Sequence, residues 1–452
     1  MSTSIGLISL GCEKNRVDSE SLLGQLRRAG YTLTSDINQA EVIIVNTCGF
    51  ITAAKEESIA AILEAAQYKI NGRCRKLLVA GCLSQRYGNE LLQEIPEIDG
   101  VMGTGAVPEV VEVLQAMHLG QRPLAVGAPG YIQQGPEARV LTTPGYTAYL
   151  KIAEGCDNRC SYCAIPAIRG PYRSRAMDDI ISEAQWLCAG GVKELIVIAQ
   201  ETTRYGRDIY GRYALPELLQ RLAAIDECRW IRIMYCYPDS FTDGLIELMA
   251  AAPKICRYID LPLQHINNRL LRVMNRRGSK EDIIRLVDKL RRLIPGVTLR
   301  TTFIVGFPGE TEQEFGELLD FMAQVKFERA GVFAYSPEEG TPAEKLPGRI
   351  NDDVVAERIN RAMSLQQRIS LTHNLDKVGQ EYMVLTEGWD DDVKMYWGRT
   401  ESDAPEIDGK VFFTSRAVVR EGDFVLVKVL DATEYDLSGV RINEFAKPSD
   451  FT

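Results

Sequence analysis

The stretch EGCDNRCSYCAIP (154–166) is the most informative part of this sequence, because it brings Cys156, Cys160 and Cys163 together in the spacing C-x3-C-x2-C. With 11 cysteines in 452 residues, this spacing would arise by chance in fewer than about one chain in a hundred. Neighbouring thiolates repel one another unless a cation neutralises them. A zinc ion would need a fourth ligand, whereas a four-iron cluster held by three thiolates leaves one iron open. The loop therefore predicts a metal or iron–sulfur site.

The cysteine loop follows the first of six apolar segments that are typical of strands buried in a parallel sheet. Helical patterns separate the segments, among them DDIISEAQWLCAGG (178–191) and TEQEFGELLDFMAQV (311–325). Six strand–helix units predict an open (β/α)6 barrel related to the eight-unit barrel. The segments are YLKIAEG (149–155), ELIVIAQ (194–200), WIRIMY (230–235), YIDLPL (258–263), LRTTFIVG (299–306) and AGVFAYS (330–336).

Residues 5–120 show a second series of the same kind. Helical patterns at 19–30 and 52–67 alternate with short apolar runs. This alternation predicts an α/β unit with a doubly wound parallel sheet. The predicted strands are IGLISLG (5–11), VIIVN (42–46), LLVAG (77–81) and VMGTG (101–105).

The pattern changes again near the end of the chain. After a helical stretch at 354–370, short alternating strands separated by Gly, Asp and Pro predict a small all-β, OB-like module. A Pro-, Gly- and Gln-rich stretch from Arg122 to Gly145 is interpreted as a linker. The predicted division is an N-terminal α/β domain at 1–121, a linker at 122–145, the barrel at 146–375, the β module at 376–446 and a tail at 447–452.

Three further cysteines, Cys12, Cys48 and Cys82, each follow a predicted strand of the N-terminal sheet. The carboxyl ends of parallel strands meet at one edge, where open α/β sheets bind ligands. The three thiols could therefore converge there, although ordinary core cysteines remain the alternative on spacing alone. The other five cysteines share no spacing and are interpreted as packing residues: Cys74, Cys188, Cys228, Cys236 and Cys256.

The cysteine loop at the start of an αβ barrel resembles that of the radical S-adenosylmethionine (SAM) enzymes, which also have an aromatic residue where Tyr162 stands. That resemblance implies a four-iron cluster whose open iron binds SAM and whose electron cleaves SAM to a 5′-deoxyadenosyl radical. The whole chain is similar to the methylthiotransferases, which add an N-terminal three-cysteine domain and a terminal TRAM domain. The family implies that Cys12, Cys48 and Cys82 hold a second 4Fe-4S cluster, which carries the sulfur, and that an electron donor protein acts as a partner.

Four residues are candidates for binding SAM: Tyr162, Gln200, Glu201 and Gly306. Glu201 ends the second barrel strand, where the resemblance places the methionine ammonium, and a carboxylate suits that ion. Gly306 ends the fifth strand, where the absence of a side chain would let the adenosine approach closely. The alternative is that this glycine only allows the turn from the strand into the loop. Arg173 and Arg175 are weaker candidates for a carboxylate contact, and His265 for a polar contact. No catalytic residue is predicted beyond the cluster ligands.

Two branches of the family differ in substrate. The sequence Gly-Cys-Glu-Lys-Asn at 11–15, together with the segments at 173–175 and 398–409, resembles the branch that modifies the β-carbon of an aspartate in small-subunit ribosomal protein twelve. The alternative branch modifies an adenosine of transfer RNA, and a non-catalytic iron or redox sensor is the alternative from another class. The net charge of −10 disfavours a passive nucleic-acid binder. No apolar run approaches the length of a membrane span and no export signal is recognised, so we expect a cytoplasmic protein.

The predicted β module is strongly acidic, with 16 Asp and Glu against 8 Lys and Arg in residues 376–446. Small β barrels that bind RNA normally present a positive groove to the phosphates. An acidic module instead suits a basic ribosomal protein, and a solvated acidic face is the alternative. We therefore expect Asp390, Asp391, Asp392 and Glu401 to dock the protein substrate, with transfer RNA disfavoured.

Overall fold

The computed structural model of the chain describes residues 3–133 and 139–442. The predicted tail at 447–452, and the last four residues of the predicted β module, lie outside the described residues. None of the helices in the described ranges has both the length and the apolar character that a membrane crossing requires.

The N-terminal region is a six-stranded, entirely parallel sheet of order β2-β1-β3-β4-β5-β6. Its helices cover both faces, since α1 and α4 contribute to one apolar cluster and α2 and α3 to the other. The predicted doubly wound sheet is therefore confirmed. The strands are β1 (Ser4–Ser9), β2 (Thr32–Leu33), β3 (Val42–Thr47), β4 (Lys76–Gly81), β5 (Gly100–Met102) and β6 (Leu124–Ala125); the helices are α1 (Glu13–Arg28), α2 (Thr52–Asn71), α3 (Cys82–Glu94) and α4 (Val110–His118).

The stretch interpreted as a linker is in part built into the fold. Its first residues supply the edge strand β6, which pairs with β5. Further along, Arg139 is buried and forms ion pairs with Glu20 of α1 and with Glu183 of the barrel. The interpretation as a linker, which rested on composition, therefore missed the short edge strand β6 and the buried Arg139.

The central region is the predicted open barrel of six parallel strands, in the order β14-β13-β12-β11-β10-β7. A short hairpin of β8 and β9 flanks the cysteine loop. Local sequence determines where α12 begins, because Thr311 and Glu314 form a capping box there, in which each side chain accepts a hydrogen bond from the backbone amide of the other. The strands are β7 (Thr147–Lys151), β8 (Ala153–Glu154), β9 (Arg173–Ser174), β10 (Glu194–Ile198), β11 (Trp230–Ile233), β12 (Ile255–Asp260), β13 (Thr298–Val305) and β14 (Arg329–Ala334). The helices are α5 (Ile165–Arg169), α6 (Met177–Ala189), α7 (Arg207–Tyr210), α8 (Leu215–Ala223), α9 (Asp243–Ala251), α10 (Asn268–Val273), α11 (Lys280–Leu293), α12 (Glu312–Val325) and α13 (Asp352–Leu375).

The C-terminal region is a closed five-stranded barrel in which β15, β16, β17, β19 and β18 follow one another around the wall. This confirms the predicted all-β module and adds two strands that the sequence pattern did not show, β16 and β19. The strands are β15 (Glu381–Asp390), β16 (Met395–Arg399), β17 (Val411–Thr414), β18 (Phe424–Ala432) and β19 (Leu437–Arg441).

The β module is anchored to the inner side of the open barrel. Arg399 forms a buried ion pair with Glu194 at 2.6 Å, and Asp403 pairs with Arg329 at 2.8 Å. Leu385 and Ala404 of the module share an apolar cluster with barrel residues. Several acidic side chains of the module are therefore committed to this contact and are not on a free surface.

Candidate functional site

The three cysteines of the barrel loop lie between β8 and α5. Gly155, which precedes the loop, has φ of +79°, and a Cβ there would come within 2.1 Å of the Pro171 carbonyl oxygen. Only glycine fits this position, so Gly155 allows the backbone to turn sharply from β8 into the cysteine loop. Within the loop the Cys163 amide donates to the Cys160 carbonyl oxygen at 3.0 Å.

Burial raises the pKa of two of the three barrel thiols, Cys156 and Cys163. Burial, together with the negative charges of Glu201 and Cys160, raises the pKa of Cys156 to about 12. Burial and the neighbouring Cys160 also raise the pKa of Cys163. Such thiols ionise only when a cation compensates them. A donor set of three thiols in this setting fits an iron–sulfur cluster.

The N-terminal thiols stand at one edge of the sheet because β1, β3 and β4 are neighbours. Cys12 caps α1, Cys48 follows β3 directly and Cys82 begins α3. Gly11 allows Cys12 and Cys48 to lie close together, since a Cβ at Gly11 would come within 2.9 Å of the Cys48 Cβ. The structure thus brings together the three residues that the sequence placed at strand ends.

Burial also raises the pKa of two of the N-terminal thiols, Cys48 and Cys82. Burial raises the pKa of Cys82 to about 12, and Cys12 and Cys48 add to the effect. Within the described residues, no three Cys, His, Asp or Glu side chains come together closely enough to hold a single metal ion. A four-iron cluster binds each thiolate through a different iron, so three neighbouring thiols that are too far apart to share one metal ion fit such a group.

A buried network of charges joins Cys82 to the barrel segments on either side of the cysteine loop, and sequence reasoning missed it. Arg169 of α5 donates to the Cys82 Sγ at 3.4 Å and to Asp18 of α1 at 2.5 Å. Lys151 of β7 bonds to Asp18 and, at 2.8 Å, to Glu154. The one sequence signal was the pair of charges, Lys151 and Glu154, inside the otherwise apolar segment before the cysteine loop.

Glu201 and Gln200 lie at the end of β10, beside the barrel thiols. Glu201 is buried and accepts hydrogen bonds from Asn158 Nδ2 at 2.8 Å and Ser240 Oγ at 3.0 Å. Burial raises the pKa of the Glu201 carboxyl group. Gln200 Nε2 donates to Glu154 at 2.7 Å, which ties this strand end to the charge network.

Tyr162 and Gly306 have different surroundings. The Tyr162 hydroxyl accepts a hydrogen bond from Arg276 at 3.2 Å, and the ring packs in a small apolar cluster. Gly306 has φ of +76°, and a Cβ there would lie 2.5 Å from Val355 of α13. Backbone conformation and helix packing therefore already require a glycine at 306, and its contact with adenosine stays a prediction.

The three weaker candidates each contact other groups of the protein, Arg175 and His265 in the interior and Arg173 nearer the surface. Arg175 is buried and forms an ion pair with Glu183 at 2.6 Å. Arg173 donates to the Pro171 carbonyl oxygen at 2.7 Å. His265 is fully buried, with its Nε2 3.1 Å from Glu310. These partners give all three a structural role.

Family models match three consecutive parts of the chain. The uncharacterized protein family UPF0004 matches residues 4–103, the radical SAM superfamily residues 150–322 and the TRAM domain residues 378–442.

Solved structures share the architecture. The radical SAM methyltransferase TsrM from Kitasatospora setae aligns with a TM-score of 0.58 and 17% identity over 76% of this chain and 77% of that chain. The cobalamin-dependent SAM radical enzyme OxsB aligns with a TM-score of 0.51 and 13% identity over 81% of this chain and 56% of that chain. At such identities the likeness concerns the fold.

Fold, cysteine loop and family models define the chain as a radical SAM enzyme, a class that uses SAM and an iron–sulfur cluster. Curated relatives narrow the class to the methylthiotransferases. The protein named ribosomal protein uS12 methylthiotransferase RimO in Pelotomaculum thermopropionicum is 59% identical over 97% of this chain and 99% of that protein. Its namesakes in Desulforamulus reducens and Clostridioides difficile are 56% and 48% identical over 96% and 98% of this chain and 99% of each protein. The chain belongs to the RimO family of transferases.

Proposed function

We propose that this protein transfers a methylthio group to the β-carbon of an aspartate in ribosomal protein uS12. The observation that carries the proposal is the pairing of two three-thiol sets, one in each α/β region, linked by the contact of Arg169 with Cys82. The relatives named for uS12 methylthiotransfer support the choice of substrate. Transfer RNA, the substrate of the alternative branch, is disfavoured.

Each thiol set holds one 4Fe-4S cluster in this proposal. Cys156, Cys160 and Cys163 hold the cluster that activates SAM, and Cys12, Cys48 and Cys82 hold the one that carries sulfur. When bound, the barrel cluster and SAM supply a radical that can remove hydrogen from an unactivated C–H bond. Such a bond has no acidic proton and no leaving group, so side-chain acids and bases cannot break it.

The chain's own residues bind and orient in this scheme. Glu201, held in place by Asn158 and Ser240, binds the ammonium of SAM through a charge-assisted hydrogen bond. Gln200 fixes the neighbouring strand end through Glu154. Tyr162 accepts a hydrogen bond from Arg276, which holds the cysteine loop in position. An electron donor protein reduces the barrel cluster.

The β module contributes an acidic docking surface, smaller than its composition suggested. Glu401 accepts a hydrogen bond from the backbone amide of Arg257, and its carbonyl oxygen accepts one from Arg232. The exposed carboxylates are therefore those of Asp391 and Asp392, in the loop between β15 and β16 beside Trp389. Asp390, which was expected to belong to this surface, ends β15, is half-buried and accepts hydrogen bonds from the backbone amides of Asp392 and Val393. We propose that the carboxylates of Asp391 and Asp392 dock uS12, which as a ribosomal protein is basic. A substrate of this kind also implies action in the cytoplasm.

Anaerobic reconstitution with iron and sulfide, followed by incubation with SAM, a reductant and purified uS12 or transfer RNA, tests the proposal. We expect a methylthio group on one aspartate of uS12 and none on the RNA. Modification of the RNA alone, or SAM cleavage with neither substrate modified, would contradict the proposed function.

A further inference from the structure

Lys14 is a buried cation without a hydrogen-bonding partner for its charge. The residue is 5% exposed and lies in the first turn of α1, two residues after Cys12. Its Nζ stands over the ring of Tyr235, 2.6 Å from the ring centroid. Within the described residues, this ammonium makes neither a hydrogen bond nor an ion pair. Burying a charge in this way is costly unless another group pairs with it.

The carboxylates closest to Lys14 are already occupied. Glu13 accepts a hydrogen bond from the Tyr235 hydroxyl. Asp260 forms an ion pair with Arg300 at 2.7 Å and accepts from the Tyr235 amide at 2.9 Å. By contrast Lys151, equally buried, has both Asp18 and Glu154 as partners. Lys14 thus lies near negative charge but has no carboxylate of its own.

The position of Lys14 is that of a substrate-binding group. Asp260 ends β12 and Tyr235 comes just after β11, so the ammonium reaches the carboxyl ends of barrel strands, where barrel enzymes bind their substrates. Its own helix starts at the edge of the sheet that carries the N-terminal thiols. Lys14 therefore lies where the start of α1, beside Cys12, meets the carboxyl ends of the barrel strands. Burial lowers the pKa of Lys14, whereas the negative charges of Cys12, Glu13 and Asp260 raise it, so a bound carboxylate would further favour the charged ammonium.

We propose that Lys14 binds the side-chain carboxylate of the target aspartate and so makes the enzyme specific for aspartate. This inference rests on the proposed function and deepens it. The ammonium and the carboxylate form a charge-assisted hydrogen bond in a site of low dielectric. That bond holds the adjacent β-carbon where α1 meets the carboxyl ends of the barrel strands. Lys14 acts as a specificity and positioning residue and takes no part in the chemical steps.

Two other roles for Lys14 lead to different expectations. If it only holds the N-terminal region on the barrel through Tyr235, its removal would lower stability and leave substrate preference unchanged. If it only balances the charge of the N-terminal cluster, its removal would alter iron content or the spectrum of that cluster. Lys55 offers a matched control, since it also joins the two regions, through an ion pair with Glu338 at 2.9 Å.

The test measures binding of uS12, and of uS12 with the target aspartate changed to asparagine, to reconstituted wild type, Lys14→Met, Lys14→Gln and Lys55→Met. Wild type and Lys55→Met should prefer the aspartate form by about tenfold or more. Both Lys14 variants should bind the two forms equally and keep full iron content and unchanged cluster spectra.

Three results would overturn the inference. The Lys14 variants could retain the preference for aspartate. Both variants could lose iron or change the cluster spectrum, which would show that Lys14 serves the cluster. Wild type could fail to bind or modify uS12. That result would contradict the proposed function itself, and the wild-type measurement alone would show it.

Discussion

Arg169 of the barrel donates a hydrogen bond to the Sγ of Cys82 in the N-terminal sheet, across 3.4 Å. Arg169 ends the short helix that follows the barrel cysteine loop. The segment that carries one thiol set thus contacts the other directly, and the charge of the guanidinium lowers the pKa of Cys82 against the effect of burial. This contact fixes the relative position of the two sites.

Replacing Arg169 with methionine should destabilise the protein strongly. The change leaves Asp18 and Glu154 in the interior with Lys151 as their one remaining cation in the network. Removing one member of a buried ionic network lowers the free energy of unfolding by about 3–5 kcal/mol. Arg212→Met, which breaks the exposed pair with Glu217, should cost less than about 1 kcal/mol. Denaturant unfolding measures both, and equal values for the two variants would contradict the role of Arg169.

The two thiol sets should act independently in iron binding. Replacing Cys156, Cys160 and Cys163 with alanine should remove about half of the iron and all SAM cleavage, because each set binds one four-iron group. Replacing Cys12, Cys48 and Cys82 should leave SAM cleavage intact and abolish methylthio transfer. Iron analysis and a 5′-deoxyadenosine assay measure both effects. Full iron content in the N-terminal triple variant would refute the second cluster.

The attachment of the β module should weaken in acid. Arg399 and Arg232 hold the pKa of Glu194 at about 2, below its ordinary 4.5. A depressed carboxyl pKa stabilises the fold fully above the ordinary value, and this contribution is lost as pH falls from about 4.5 to about 2. The loss should be on the order of 3 kcal/mol. Thermal unfolding measured between pH 5 and pH 3 should fall less steeply in Glu194→Gln than in wild type, and parallel curves would contradict the assignment.

Reversing the charge of Asp391 and Asp392 should weaken capture of uS12. Lysines at these exposed positions repel a basic partner, so the apparent KM for uS12 should rise while SAM cleavage without substrate stays unchanged. Wild-type binding should weaken as salt increases. Equal binding of uS12 by the variant, or tighter binding of transfer RNA by the wild type, would refute the docking surface.

The sequence predicted those features that depend on local patterns. Unbroken apolar runs such as VIIV at 42–45 are typical of strands buried on both faces. These runs predicted the parallel sheets and the strand ends that the cysteines follow. The edge strands Thr32–Leu33 and Leu124–Ala125 have two residues each, too few to form a pattern.

Contacts between distant segments could not be predicted in the same way. Arg169 meets Asp18 across 151 positions of sequence, and no local signal pairs them. Composition alone assigned Glu401 to a free acidic surface, but folding places it against the barrel. Arg175 was a candidate ligand until the structure showed its buried pair with Glu183.

The mass of uS12 from cells tests the central claim most directly. Ribosomal proteins are isolated from a strain lacking this gene, from its parent and from the strain complemented with wild type or with the Cys12, Cys48 and Cys82 triple variant. We predict one methylthio group on an aspartate of uS12 in the parent and the wild-type complement, and none in the other two. An unmodified uS12 in the parent, or a modification that persists without the gene, would contradict the account.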